Sequence, residues 1–362
     1  MPRLHDIHLR HACHYVAVLE EADALYAKGG EALKRSLELF DLEWSSIQSA
    51  QAWAEAHAAD DRKAAALCSL FPNAGAYLLG LRQHPQGKIR WREAALAAAR
   101  NLKLRDSEAG HLHGLALAYE NQGETRQSIA FHQEALTIFR ELKHRRGEAN
   151  LLGNLGIAYA TLGEIEKAIE YYEQALQLTR ELGDRRGECN KLINLGLAYA
   201  DLQELQKARE CHEQALSLSR KLGERRIEGN ALGNLGNVYF AMSEIQTAID
   251  YHQQALAISR ELGDRRAEGQ DLGNLGNAYS VLGDYEKALH CYNDHLTLAR
   301  ELSDRRSEAG ILYNASLALF ALGDVAQSQK HVETALKIYQ EIEDPNATKV
   351  REKLDEWRKL KE

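Results

Sequence analysis

The sequence predicts an all-α chain in which helical hairpins stack one on the next as a solenoid. Three observations carry this. The first is a repeat: residues 141–180, 181–220, 221–260, 261–300 and 301–340 align without a gap, and 101–140 follows the same frame more loosely. The second is the near absence of helix breakers, with four prolines at Pro2, Pro72, Pro85 and Pro345 and none between the last two. The third is composition, rich in Ala, Leu, Glu and Arg, with 44% hydrophobic and 27% charged residues.

The first sixty residues predict two amphipathic helices, 5–27 and 31–57, parted by Gly29 and Gly30, that close the N-terminal end of the stack. Residues 61–100 are expected to form a decayed repeat. WREAALAAAR (91–100) matches FHQEALTIFR (131–140), but Pro72 is expected to interrupt the first helix and Pro85 the turn. Residues 101–340 then hold six 40-residue units, each a first helix, a turn at or near a glycine such as Gly163 or Gly283, and a second helix.

Within a unit the apolar residues recur at helical spacing, as in Leu155, Tyr159, Leu162, Tyr172, Leu176 and Leu178. Gly156, Gly196, Gly236 and Gly276 leave space for close helix approach, with Ala168, Ala208, Ala248 and Ala288 as matching small residues. Each hairpin must bury one face on its own partner and another on the next repeat. Residues 341–362 predict a final helix started by Asp344 and Pro345, whose Val350, Leu354 and Trp357 cap the apolar edge of the last hairpin.

Leu155, Gly156, Tyr159, Gly163, Ala168, Tyr172 and Ala175 fall where the tetratricopeptide repeat family places its signature residues, so 101–340 resembles that family. The resemblance implies a right-handed superhelix and a concave groove lined by the first helix of each hairpin. The unit departs from the usual length of about 34 residues: Arg180 stands where the family often has proline, and six further residues are expected to prolong the second helix. Such units are similar to those of the spindle-orientation adaptor Pins/LGN and of bacterial signalling proteins. LRHACHYVAVLEEADALY and later N-terminal strings also resemble the segment before the tetratricopeptide sensor of STAND signalling ATPases. No GxxxxGK[ST] phosphate loop is present, so the resemblance implies a sensor or adaptor without the ATPase module.

On the implied groove face, polar residues form columns four residues apart: Arg146, Asn150 and Asn154; Arg186, Asn190 and Asn194; Arg226, Asn230 and Asn234; Arg266, Gln270 and Asn274; and Arg306 with Asn314, where Gly310 intervenes. Asn237 and Asn277 extend the ladder. An asparagine offers a donor and an acceptor to one peptide bond and so holds an extended chain whatever its side chains. Asn154, Asn194, Asn234, Asn274 and Asn314 stand where O-GlcNAc transferase has its asparagine ladder, which implies a peptide-holding feature. Gly153, Gly233 and Gly273 leave room beside it, while Ile193 and Tyr313 replace them in two units as candidates for side-chain selectivity. The Arg column suits carboxylates, so the expected partner is a protein or peptide with an extended acidic segment or a free C-terminus.

The same asparagines could instead bond a neighbouring repeat, and that alternative stays open at the level of sequence. A second column, Arg145, Arg185, Arg225, Arg265 and Arg305, sits three residues before Glu148, Glu188, Glu228, Glu268 and Glu308, a spacing for local ion pairs. His132, His212 and His252 recur at a packing position. His5, His8, His11 and His14 rotate around a helix and do not focus on a metal.

No nucleophile elbow, HExxH or dinucleotide fingerprint occurs, so the reading is a binding module without catalysis, cofactor or metal. A net charge of −8 and few groove aromatics disfavour nucleic acid. Five scattered cysteines and the lack of an apolar leader or span point to a cytoplasmic protein away from the membrane. The rival to a peptide-binding adaptor or sensor is a self-assembling scaffold that pairs copies through the N-terminal helices or the solenoid ends.

Overall fold

The computed structural model describes residues 4–359, and among them are 18 α-helices and no strand. They fall into two compact units that divide between Gly183 and Asp184. Each is a stack of antiparallel hairpins.

The first unit opens with α1 (Leu4–Lys28) and α2 (Gly30–His57), within a residue of the expected bounds and joined at Gly29 and Gly30, whose φ values of 66° and 56° suit glycine. Then follow α3 (Arg62–Ala74), α4 (Ala76–Arg82), α5 (Pro85–Leu102), α6 (Arg105–Glu120), α7 (Thr125–Glu141), α8 (Arg145–Thr161) and α9 (Ile165–Glu181). Val16, Leu19, Phe40, Ile47, Phe71, Leu78 and Trp91 make one core, so α1 and α2 are continuous with the decayed repeat beneath them. Pro72 is buried inside α3, which ends two residues later; α4 continues after a 69° bend, its start capped by Asp23, which accepts the Tyr77 and Leu78 amides at 2.9 and 3.0 Å. Pro85 departs from expectation. It opens α5 instead of breaking a turn, because the first residue of a helix has no intrahelical acceptor for its missing N–H.

The second unit comprises α10 (Arg185–Asp201), α11 (Leu205–Leu222), α12 (Arg225–Ala241), α13 (Ile245–Leu262), α14 (Arg265–Val281), α15 (Tyr285–Glu301), α16 (Arg305–Ala321), α17 (Val325–Glu341) and α18 (Asn346–Lys359). The six residues beyond the family's usual unit do not all prolong the second helix. Lys221 and Leu222 do, Gly223 and Glu224 make the turn, and Arg225 and Arg226 already belong to the next helix. An acid at the turn's end fixes that early start: Asp264 accepts from the Ala267 amide at 3.2 Å and Asp304 from the Ser307 amide at 3.0 Å.

Two devices recur in the hairpins. A ring from the second helix rests on the glycine of the first: Tyr172 on Gly156 in the first unit, and His212 on Gly196, His252 on Gly236 and Tyr292 on Gly276 in the second. The second device is a clamp on a buried glutamate. Glu228, 7% exposed, accepts from Arg220 Nε at 2.9 Å and Arg225 Nη1 at 2.6 Å, and Arg225 reaches on to Glu261. Arg260, Arg265, Glu268 and Glu301 repeat the arrangement, as do Arg300, Arg305, Glu308 and Glu341. In the first unit Arg140, Arg145, Glu148 and Glu181 do the same. Burial pushes the Glu228 and Glu308 carboxyls up, but hydrogen bonds from the two arginines prevail and hold them below the usual carboxylate range.

At the end of the second unit, α18 lays Val350, Leu354 and Trp357, each at most 2% exposed, over the last hairpin. The Trp357 ring stacks on Phe320 with centroids 4.5 Å apart. No single helix among the described residues is long and apolar enough to cross a membrane.

Candidate functional site

The columns of polar residues lie on first helices, and their depth follows helical geometry. In the first unit α8 carries Arg146 and Asn150 exposed and Asn154 half-buried. In the second unit α10, α12 and α14 repeat the gradient: Arg186, Arg226, Arg266, Asn190, Asn230 and Gln270 are exposed, while Asn194, Asn234 and Asn274 are half-buried. Residues four apart on one helix share a face, so each set forms a line running from the helix start inward.

The asparagines divide into two groups. Asn154, Asn194, Asn234 and Asn274 make no side-chain hydrogen bond among the described residues. Asn277 and Asn314 are engaged internally: Asn277 Oδ1 accepts from Tyr292 Oη at 2.9 Å and from Asn314 Nδ2 at 3.1 Å. Those two tie neighbouring repeats together, the alternative that the sequence left open.

Three of the five column arginines are exposed yet partnered. Arg186 lies 3.4 Å from Glu224, Arg226 2.7 Å from Asp264 and Arg306 2.9 Å from Asp344, each acid standing just before a following first helix or at the start of the C-terminal segment. The guanidiniums remain 69–72% exposed and keep donors facing solvent. Tyr313 is half-buried, with Lys349 of α18 over its ring at 5.7 Å, so the C-terminal helix already covers part of that position. The room beside Gly273 is filled by the His295 ring, against which an added Cβ would stand at 2.9 Å, whereas beside Gly233 it would meet Asp271 Oδ1 at an ordinary 3.6 Å.

Between α12 and α14 the columns enclose a cavity of about 250 Å³, lined by Arg226, Asn230, Asn234, Asn237, Gln270 and Asn274, by Ile193, the candidate for side-chain selectivity, and by residues the sequence did not single out: Leu197, Ile258, Leu262, Ser259, Asp264 and Asp271. The remaining proposed residues lie outside its wall. Asp271 is 8% exposed, and burial, with Asp264 nearby, pushes its carboxyl up to about 6 against a hydrogen bond from Ser259. The signal that could have found it is its departure from the repeat: the equivalent positions hold Leu151, Lys191, Ala231 and Ile311.

Elsewhere, His5 bonds Asp61 at 2.7 Å, His8 stacks on Trp53, and His11 and His14 lie against Tyr15. Among the described residues no three metal-ligating side chains converge.

A tetratricopeptide repeat family model matches residues 107–181, 187–261, 228–301 and 270–341. No curated protein matches the sequence. Among solved structures, BtubC from P. vanneervenii is 23% identical over 61% of this chain and 93% of that chain, with a TM-score of 0.55. A Signal Transduction ATPase with Numerous Domains (STAND) protein with a tetratricopeptide repeat sensor, from Pyrococcus horikoshii, is 16% identical over 97% of this chain and 60% of that chain, with a TM-score of 0.63. Aspartyl phosphate phosphatase F from Bacillus subtilis is 14% identical over 95% and 94%, with a TM-score of 0.59. At these identities the structural matches establish likeness of fold. The repeats matched from 107 to 341, with their ring-on-glycine hairpins, place the chain in the tetratricopeptide repeat family.

Proposed function

We propose that this protein is an adaptor or sensor that binds another polypeptide, holding an extended segment along the first helices of its second unit. The observation that carries the reading is the set Asn194, Asn234 and Asn274: half-buried amides at one register, without a hydrogen-bond partner among the described residues. A half-buried amide that stays unpaired loses stabilisation that a peptide bond would supply, and a ladder of them fits a backbone better than any one side chain. Membership in a repeat family supports the general class of polypeptide binding.

The Arg column supports acidic groups on the ligand in a modified form. Arg186 and Arg226 already share their charge with Glu224 and Asp264, so a ligand carboxylate would join a pair through the remaining donors. Its contribution is to steering and selectivity more than to total affinity.

The test begins with a random peptide library selected on the full chain. Peptides retained by the wild type should bind Asn194→Ala with Asn234→Ala more weakly, each lost pairing costing about 1–3 kcal/mol. Helicity and melting should be nearly unchanged. Unfolding of that variant would show that the asparagines hold repeats together, and undiminished binding would place the ligand elsewhere.

A further inference from the structure

Among the first-helix residues at this register, Asp271 is the only carboxylate, standing where other units have Leu151, Lys191, Ala231 and Ile311. Its Oδ2 lies 2.5 Å from Ser259 Oγ, and the same hydroxyl lies 2.9 Å from the Ala255 carbonyl. One hydroxyl proton serves one of those acceptors at a time. Oδ1 has no hydrogen-bond partner among the described residues and stands on the cavity side, next to the space left by Gly233.

The cavity around it is amphipathic. Ile193, Leu197, Ile258 and Leu262 contribute aliphatic walls, and the charged groups are Arg226, Asp264 and Asp271. Arg226 and Asp264 pair at 2.7 Å and neutralise each other, which leaves the Asp271 charge uncompensated. A buried carboxylate without a cation is unfavourable, and burial already pushes this carboxyl up to about 6.

An aliphatic slot that ends on a lone carboxylate oxygen matches a side chain with an apolar stem and a compact cationic head. Lysine has that form: methylenes for the walls and an ammonium for Oδ1. Arginine fits less well, because its planar fork prefers two carboxylate oxygens and Oδ2 is held by Ser259. We propose that this cavity is a subsite for one lysine side chain of the bound polypeptide, with Asp271 as its charge partner and specificity-determining residue. The inference rests on the peptide-binding reading above and adds a position-specific cation to a ligand whose other contacts are backbone and acidic.

The experiment uses the peptides selected on the full wild-type chain. They should share a lysine at one fixed position, and replacing it by norleucine, which keeps the stem and removes the charge, should weaken wild-type binding about tenfold or more. Asp271→Asn, which preserves shape, should bind the lysine and norleucine peptides within about twofold of each other at unchanged melting temperature. Asp271→Leu, which restores the residue of the unit at 151, should do likewise and guards against a defect peculiar to the amide. Peptides that depend on Asn194 and Asn234 but share no fixed lysine would overturn the subsite alone. A lysine preference that survives in Asp271→Asn would do the same, and a library that yields no groove-dependent peptide would overturn both readings.

Discussion

A single methyl group is the sharpest probe of this fold. An added Cβ at Gly236 would lie 2.6 Å from the His252 ring, and at Gly196 2.5 Å from His212, so ring or helix must move. Gly236→Ala should therefore destabilise the second unit by about 1–3 kcal/mol, the usual cost of overfilling a packed interior, read as a lower urea midpoint. The same substitution at Gly163, in open space, should cost less from contact and more from its φ of 78°. The sequence displays the glycine every 40 residues but not the ring that needs it, since Tyr172, His212, His252 and Tyr292 share neither charge nor hydrogen-bonding pattern. Asp271 was illegible for the opposite reason: a period draws the eye to what recurs, and this residue matters by failing to recur.

The elements are set by their ends as much as by their stripes. Between the helices of a hairpin the chain turns through a left-handed residue: Gly123, Gly163, Gly283 and Gly323 in four units, but Gln203 (φ 61°) and Ser243 (φ 63°) in two. A side chain in that region is strained by about 1–2 kcal/mol. Ser243→Gly should thus raise stability by about 0.5–1 kcal/mol, after the greater freedom of glycine in the unfolded chain is subtracted, measurable as a shift in urea midpoint at constant slope. Helix number, order and bounds were largely legible because apolar spacing, acids at helix starts and glycines at turns agree with one another. Two features were not. Pro85 punctuates a sequence whether it breaks a turn or opens a helix, and Arg220, at the place where the family often has proline, declares its clamp on Glu228 only once the helices are packed.

At the scale of the whole molecule, the response to acid follows from buried imidazoles. His132, His212 and His252 are at most 1% exposed; both ring nitrogens of the first two, and Nδ1 of His252, lack a partner among the described residues. Burial pushes them down to about 3, 4 and 4 from an ordinary value of about 6.5. The folded state thus favours the neutral ring. That stability is fully present above about pH 6.5 and drains as pH falls toward 4, at up to roughly 3 kcal/mol for each ring. The melting temperature should fall steeply between about pH 6.5 and 5, before the clamped glutamates are protonated. His252→Tyr, which copies the Tyr292 contact by placing a hydroxyl near Asn237, should shallow that slope. The periodicity of these histidines was legible as packing; their missing partners were not, because partners depend on which helix lies opposite. The glutamate clamps carry a consequence of another kind, for how such a chain changes length. Arg220 finds its acid eight residues on and Arg225 finds a second one 36 residues on, and the next unit repeats both intervals. Excising or duplicating the block 261–300 leaves each clamping arginine from Arg220 to Arg305 facing an equivalent glutamate and each ring of those hairpins facing a glycine, so the wiring of these repeats makes recombination by whole units structurally silent and any other length of insertion costly.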